Sequence, residues 1–586
     1  MKKYALLCIG LTAALLMSAC GNRTNGTEPT NYVPAQFDST DVFTDRDYET
    51  GYDESKSTVI TLNGDTAACN CDTVQISGGT VTITDEGTYV LSGTLNDGMI
   101  VVNSEKTDKI QLVLDGVTIH SETSAPIYIL QADKVFITLS PDSSNVLSNG
   151  GTFTAIDENN IDAVLFSKED VTLNGSGTLT INSPAGHGIV SKDSLAITGG
   201  AYDISAACHA LTGQDDVCVT GAVFALTSGK DGIHAENAED TSLGFVYIES
   251  GSFQISAEGD GISASAAMQI MGGTFHILSG GGSVNAPAHS ADPWGGGMGG
   301  GRHPGGMGGG PMGNNSSGET QDDTASMKGV KAGGDLTIRG GVFTIDSADD
   351  AVHSNANIAV CGGTFEIASG DDAFHADETL AISSGDINIT QSYEGLEGLH
   401  IDMSGGDITL VASDDGLNAA GGTDQSGFGG PHGNDRFGGM GGGASNGSIV
   451  LSGGTIRITA SGDGIDANGS LTISGGFVTV CGPTQGDTAT LDYDSSATIT
   501  GGTFIGTGAS GMAQTFSDSK QGVIAVRVDH QNAGTKITLT DSEGNVILSH
   551  TPELPFALVI LSSPDVIKGQ TYTITVGSAS GQFEAS

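Results

Sequence analysis

DSADDAVHSNANIAVCGGTFEIA (346–368), SGDDAFHADETLAISSGDINIT (369–390), QSYEGLEGLHIDMSGGDITLV (391–411), ASDDGLNAAGG (412–422): from Asp346 to Gly422 the chain writes one pattern four times. In each copy a strand residue (Phe343, Phe365, Ile387, Ile408) stands seven positions before an acid (Asp350, Asp372, Glu394, Asp415). An apolar residue (Val352, Phe374, Leu396, Leu417) follows two positions after that acid, and successive acids are 22, 22 and 21 residues apart. A fixed period of this length is the signature of a solenoid. Strands of four or five residues between Gly-Gly and Asp-Asp turns make it all-β, a parallel β-helix with one rung per period.

The same slot recurs outside this stretch. Backward it holds Lys328, Asp260, Asp231, His209, His187 and Asp162; forward it holds Asp463. Two gaps are long, Asp260 to Lys328 and Asp415 to Asp463, and both contain a glycine-rich insertion. Such segments (280–327 and 421–446) bury no apolar surface and are expected to be loosely ordered loops.

Stacked rungs lie about 4.8 Å apart, so residues one period apart form columns. The apolar residue after the acid faces the core, and its neighbour then faces outward: Lys331, His353, His375, Glu397, Asn418, Asp466. Beside that column run Asp350, Asp372, Glu394, Asp415 and Asp463, crowded by Asp349, Asp371 and Asp414. Two carboxylates about 5 Å apart repel by about 3 kcal/mol at an effective dielectric near 20. Calcium, with its six to eight oxygen ligands, removes that repulsion, and the whole ridge is therefore a candidate Ca²⁺ site. The competing reading is a turn aspartate whose carboxylate caps backbone N–H groups. The ridge histidines are read as hydrogen-bond donors, and the outward column as the ligand-binding face.

Composition narrows the partners. With 91 glycines and a formal charge of −48, the chain is a poor match for nucleic acid or an anionic membrane surface. Lys2 and Lys3 precede an apolar run from Ala5 to Met17, then Ser18, Ala19 and Cys20. That is an export signal over 1–19, and its end resembles a bacterial lipobox, which implies a lipid on Cys20 and display on the extracellular face of the cell membrane. Residues 20–56 are polar and read as a tether. Residues 57–160 read as the less regular N-terminal rungs or cap, 161–510 as the repeat domain, and 511–586, with its longer strands, as a C-terminal β cap. The cysteines after Cys20 do not suggest a disulfide framework; Cys361 and Cys481 fall in equivalent slots several rungs apart. The chain is expected to be a monomer.

Several phrases carry a family likeness: TYVLSGTLNDGMIVVN (88–103), KIQLVLDGVTI (109–119), DAVLFSKEDVTLNGSGTLTI (162–181), SYEGLEG (392–398) and GGDITLVASDDGLNAAGG (405–422). With the lipobox, they make the chain resemble the bacterial carbohydrate-binding β-helix family. The resemblance implies a right-handed parallel β-helix, pectate-lyase-like in shape, that binds Ca²⁺ and polysaccharides such as cellulose and polygalacturonate. His187 and His209 depart from its acid-rich slots. Three functions remain open: a surface-anchored, calcium-loaded protein binding acidic or cellulosic polysaccharide, a calcium-dependent polyuronate lyase, and a structural adhesin. A lyase needs a base beside the metal, and Lys328 and Lys331 are the candidates, with Arg339 and Arg457 as alternatives.

Overall fold

Apolar residues spaced two apart on short strands can be buried only if the strands stack, and stacking is what the repeat produces. The structure, a computed structural model, describes residues 42–286, 326–420, 446–484, 486 and 488–586. The export signal, Cys20 and most of both glycine-rich insertions lie outside the described residues. The chain is all-β and dominated by one 47-stranded sheet. Through the regular part each repeat supplies three strands, each pairing in parallel with its equivalent in the next repeat.

Three stacks result. One runs Val330–Ala332, Val352–Ser354, Phe374–Ile382, Leu396–Met403, Leu417–Asn418 and Ile465–Ala467. Its register sets Val352 against Phe374, Phe374 against Leu396, and Leu396 against Leu417. All four are fully buried, as the spacing predicted. A second stack includes Leu336–Ile338, Asn357–Val360 and Gly447–Leu451, and a third includes Val342–Ser347, Thr364–Ser369, Asp386–Gln391 and Asp407–Ala412. Inside the third stack the rings of Tyr202, Phe224, Phe253, Phe275, Phe343 and Phe365 lie one on another with centroids 4.6–5.2 Å apart. The Gly-Gly turns make this column possible. Gly363 adopts φ 109°, and a Cβ there would meet the Phe365 ring at 3.0 Å.

The ends depart from parallel pairing. Thr503–Gly508 pairs antiparallel with Phe556–Ser562, which pairs antiparallel with Val523–Gln531. Val546–His550, Ile537–Thr540, Thr571–Val576 and Ala579–Glu584 form a separate four-stranded antiparallel sheet over a second small core. The six described cysteines are free.

The expected tether is corrected over its last residues. Asp45–Tyr48 is a short 3₁₀ turn whose Asp47 is buried against the sheet. Its carboxylate meets Lys134 Nζ at 2.8 Å and accepts from Thr172 Oγ1, while its carbonyl accepts from Asn174 Nδ2 and Thr198 Oγ1. A charged group leaves water only when paired and hydrogen-bonded, and this one is both. Likewise the first residues of the expected loop are packed: Ser283 N–H donates to Asp346 at 2.6 Å.

Candidate functional site

The slot acids share one backbone duty. Asp231 Oδ1 accepts the N–H of Asp260, Asp260 Oδ1 that of Lys328, and Asp350 Oδ1 that of Asp372, at 2.8–3.0 Å. Asp372 does the same for Glu394, Asp415 for Asp463, and Asp463 for Ala489. His209 fills the slot with an equivalent acceptor, its Nδ1 taking the N–H of Asp231 at 3.0 Å. The result is a ladder in which most repeats cap the next; it is interrupted at Lys328, where Asp350 N–H turns to Asp349 Oδ1. A buried N–H without an acceptor costs about 1–3 kcal/mol, so the ladder explains the recurring slot without any metal. It commits one oxygen of each carboxylate and turns the other toward the neighbouring column.

That column is correctly ordered but wrongly expected to be exposed. Parallel register aligns Lys331, His353, His375, Glu397, Asn418 and Asp466. All but the half-buried Asp466 are buried. They point away from the apolar core, yet neighbours above and below and the slot acids beside them exclude water. Lys328 and Lys331 are also buried. Lys328 Nζ donates to Asp349 at 2.9 Å and Asp350 at 2.8 Å; Lys331 Nζ meets Ser326 Oγ at 3.1 Å and stands 3.9 Å from Asp260. The structure therefore places both expected lyase bases in internal ion pairs, where they serve as counter-charges. Of the alternatives, Arg457 pairs with Asp407 on the exposed surface.

Charge is distributed unevenly along this edge. In the lower part, Asp350 also accepts from His353 Nδ1 at 2.8 Å, and His375 Nδ1 lies 2.9 Å from Asp372 and 2.8 Å from Glu397. Burial alone would raise the Asp350 carboxyl, but Lys328 and His353 outweigh it and hold it well below the usual range. Burial would likewise depress His375, but Glu397 and Asp372 hold it well above the ordinary histidine range. Asp349, Asp350 and Asp371 bring one oxygen each within 4.8 Å of the others, as do the donor atoms of Asp372, His375 and Glu397.

Farther along the chain the compensation changes character. Asn418 Nδ2 donates to Glu394 at 2.8 Å and Asn468 Nδ2 to Asp466 at 3.1 Å, so amides stand where the lower part has cations. Burial and the neighbouring Glu397 and Asp415 push Glu394 up; burial, Asp463 and Asp414 do the same to Asp415. Asp466 is pushed up to about 7 by burial and by Asp463 and Asp492. Asp415, Asp463 and Asp466 each offer an oxygen within 4.8 Å of the other two. Among the described residues, no Lys, Arg or His pairs with Asp415 or Asp466. Asp414 flanks this group, its N–H donating to the Tyr393 carbonyl at 2.9 Å.

A separate acidic contact yields a pH prediction. Asp193 is pushed up to about 7 by burial and by Asp170 and Asp215. Its folded pKa lies above its unfolded value, so its stabilisation is complete below about pH 4 and is lost as pH rises through about 7. In calcium-free buffer the melting temperature should fall between pH 5 and 8, and Asp193→Asn should flatten part of that fall. A profile unchanged by the substitution would remove Asp193 from the account.

A parallel all-β repeat with a carboxylate-rich edge is the class of protein these observations define. The chain belongs to the family of carbohydrate-binding domain-containing proteins, whose family model matches residues 77–373 and 372–545. A protein of Acetivibrio thermocellus with that same description is 34% identical over 206 residues, or 35% of this chain. The match spans 65% of that relative's length. A solved structure described as the polysaccharide lyase-like protein from C. thermocellum, in a gadolinium derivative, is 36% identical, covering 38% of this chain and 92% of that one, with a TM-score of 0.38.

Proposed function

We propose that this chain is a surface-tethered, calcium-loaded polysaccharide-binding protein, held by a lipid on Cys20 at the extracellular face of the membrane and taking uronate-rich or cellulosic glycan. Family membership supports carbohydrate as the ligand class. The observation that carries calcium is the Asp415, Asp463 and Asp466 group, an all-oxygen set partly shielded from water. One oxygen from each, with backbone carbonyls and water, suits an ion that takes six to eight oxygens at about 2.3–2.6 Å. A chain at −48 draws in a polyanion only through a bridging cation, which makes polyuronate the favoured glycan. We further infer that the three stacks close into a right-handed parallel β-helix, since crossovers between parallel strands of one sheet are right-handed in about 98% of cases.

Pull-down on insoluble polygalacturonate and on cellulose tests the reading. Retention on polygalacturonate is expected in Ca²⁺, with loss in EDTA and in the Asp415→Asn, Asp463→Asn double variant. Retention on neither glycan would leave the adhesin reading; retention indifferent to both treatments would end calcium bridging.

A further inference from the structure

Below the carboxylate edge, three imidazoles stack on successive repeats. His187 lies over His209 with ring centroids 5.1 Å apart, and His209 over His234 at 4.2 Å. Asp231 stands between the last two, its Oδ2 2.7 Å from His234 Nδ1 and 3.4 Å from His209 Nδ1. One donor atom from each of these three residues lies within 4.8 Å of the others. The histidines open on a cleft of about 420 Å³ that Lys192, Gln214 and Glu236 also line. His187 Nδ1, one repeat down, is buried with no hydrogen-bond partner among the described residues.

We propose that His209, Asp231 and His234 form a site for a borderline divalent cation of the zinc class, distinct from the all-oxygen set of Asp415, Asp463 and Asp466, with its open coordination positions facing the cleft. Two imidazoles and one carboxylate favour Zn²⁺, Co²⁺ or Ni²⁺ over Ca²⁺, which wants oxygens throughout. Ligands about 2.0–2.2 Å from one ion stand roughly 3.3 Å apart, which the His209–Asp231 separation already matches. The His234–Asp231 pair opens by about half an ångström when an ion replaces the proton between them, and that proton is released. Asp231 Oδ1 is committed to Asp260 N–H, leaving Oδ2 as the ligand atom. His209 Nδ1 directs its one lone pair at Asp231 N–H, so ligation exchanges that ladder bond for the ion. His234 Nε2 lies 3.2 Å from Glu236 Oε2, the carboxylate–histidine arrangement that fixes a ligating ring and aims its other nitrogen at the metal.

Co²⁺ titration of the untagged, chelator-stripped full chain tests the assignment. A visible d–d absorption band is expected, displaced by Zn²⁺ and unaffected by excess Ca²⁺. His234→Ala should abolish it, while Glu236→Gln, which changes a half-exposed side chain and disturbs no ladder bond, should weaken binding about 10–100-fold. Asp415→Asn should leave the band intact, which separates this site from the proposed calcium site. No band in the native chain, or a band indifferent to both the His234 and Glu236 substitutions, overturns the proposal.

Discussion

Asp350→Ala is expected to destabilise the protein by about 3–5 kcal/mol, the cost of breaking a buried ion pair from one side. Asp350 is buried and holds three partners: Lys328 Nζ and His353 Nδ1, each at 2.8 Å, and the N–H of Asp372 at 3.0 Å. Alanine takes from the Lys328 ammonium one of its carboxylate partners and leaves the Asp372 N–H without this acceptor. Asp350→Asn keeps the acceptor and the volume, so it should fall between wild type and alanine. Adding Lys328→Met to Asp350→Ala should recover part of the loss, because an apolar replacement of the pair leaves no charge behind. The measurement is the urea midpoint at unchanged slope. A loss below about 1 kcal/mol for Asp350→Ala would mean that solvent screens the pair, as it screens surface pairs.

Calcium should raise the melting temperature, and EDTA should lower it. An ion that binds only the folded chain stabilises it by about 2.7 kcal/mol per site at a free concentration one hundred times its dissociation constant. Mg²⁺ should substitute poorly, because it demands a tight octahedral shell. The response should disappear in Asp415→Asn, Asp463→Asn, where no counter-charge from a described residue meets Asp415. It should persist in Asp371→Asn, Asp372→Asn, because Asp372 lies beside His375, whose imidazole Glu397 and Asp372 hold well above the ordinary histidine range. A melting curve that ignores calcium, chelator and all four substitutions would reduce these acids to their ladder duty.

From His187 onward the repeat was legible to the residue; Asp162 was one position off, since the parallel register sets Ala163 against His187. The seven-residue offset from Phe343, Phe365, Ile387 and Ile408 to the slot acids predicted both the inward column and the parallel register, because period and burial allow one alignment only. Exposure of the next column was not legible. Alternation gives the direction of a side chain such as His353, but whether water reaches it depends on side chains one repeat away on either side. Lys328 looked like a surface base because nothing local says that its ammonium reaches the next repeat's acids. His209 looked like a broken slot, although an unprotonated imidazole nitrogen accepts an N–H as a carboxylate does. The docking of Asp47 on Thr172 joins residues 125 apart with no periodic signal between them.

The ladder also has a bearing on where this chain admits extra length. Two of its rungs bridge the glycine-rich insertions: Asp260 accepts the N–H of Lys328 across 68 residues, and Asp415 that of Asp463 across 48. After the first, Lys328 meets that acceptor and strand pairing resumes at Val330; after the second, pairing resumes already at Ser448, and the Asp463 bond closes the same repeat fifteen residues later. Because closing a longer loop costs only about 0.6 kcal/mol per doubling, these two junctions behave as splice points. Foreign segments grafted there would be carried on a frame whose strand pairing resumes within a few residues of the insertion, at Val330 and at Ser448, whatever the length of the graft.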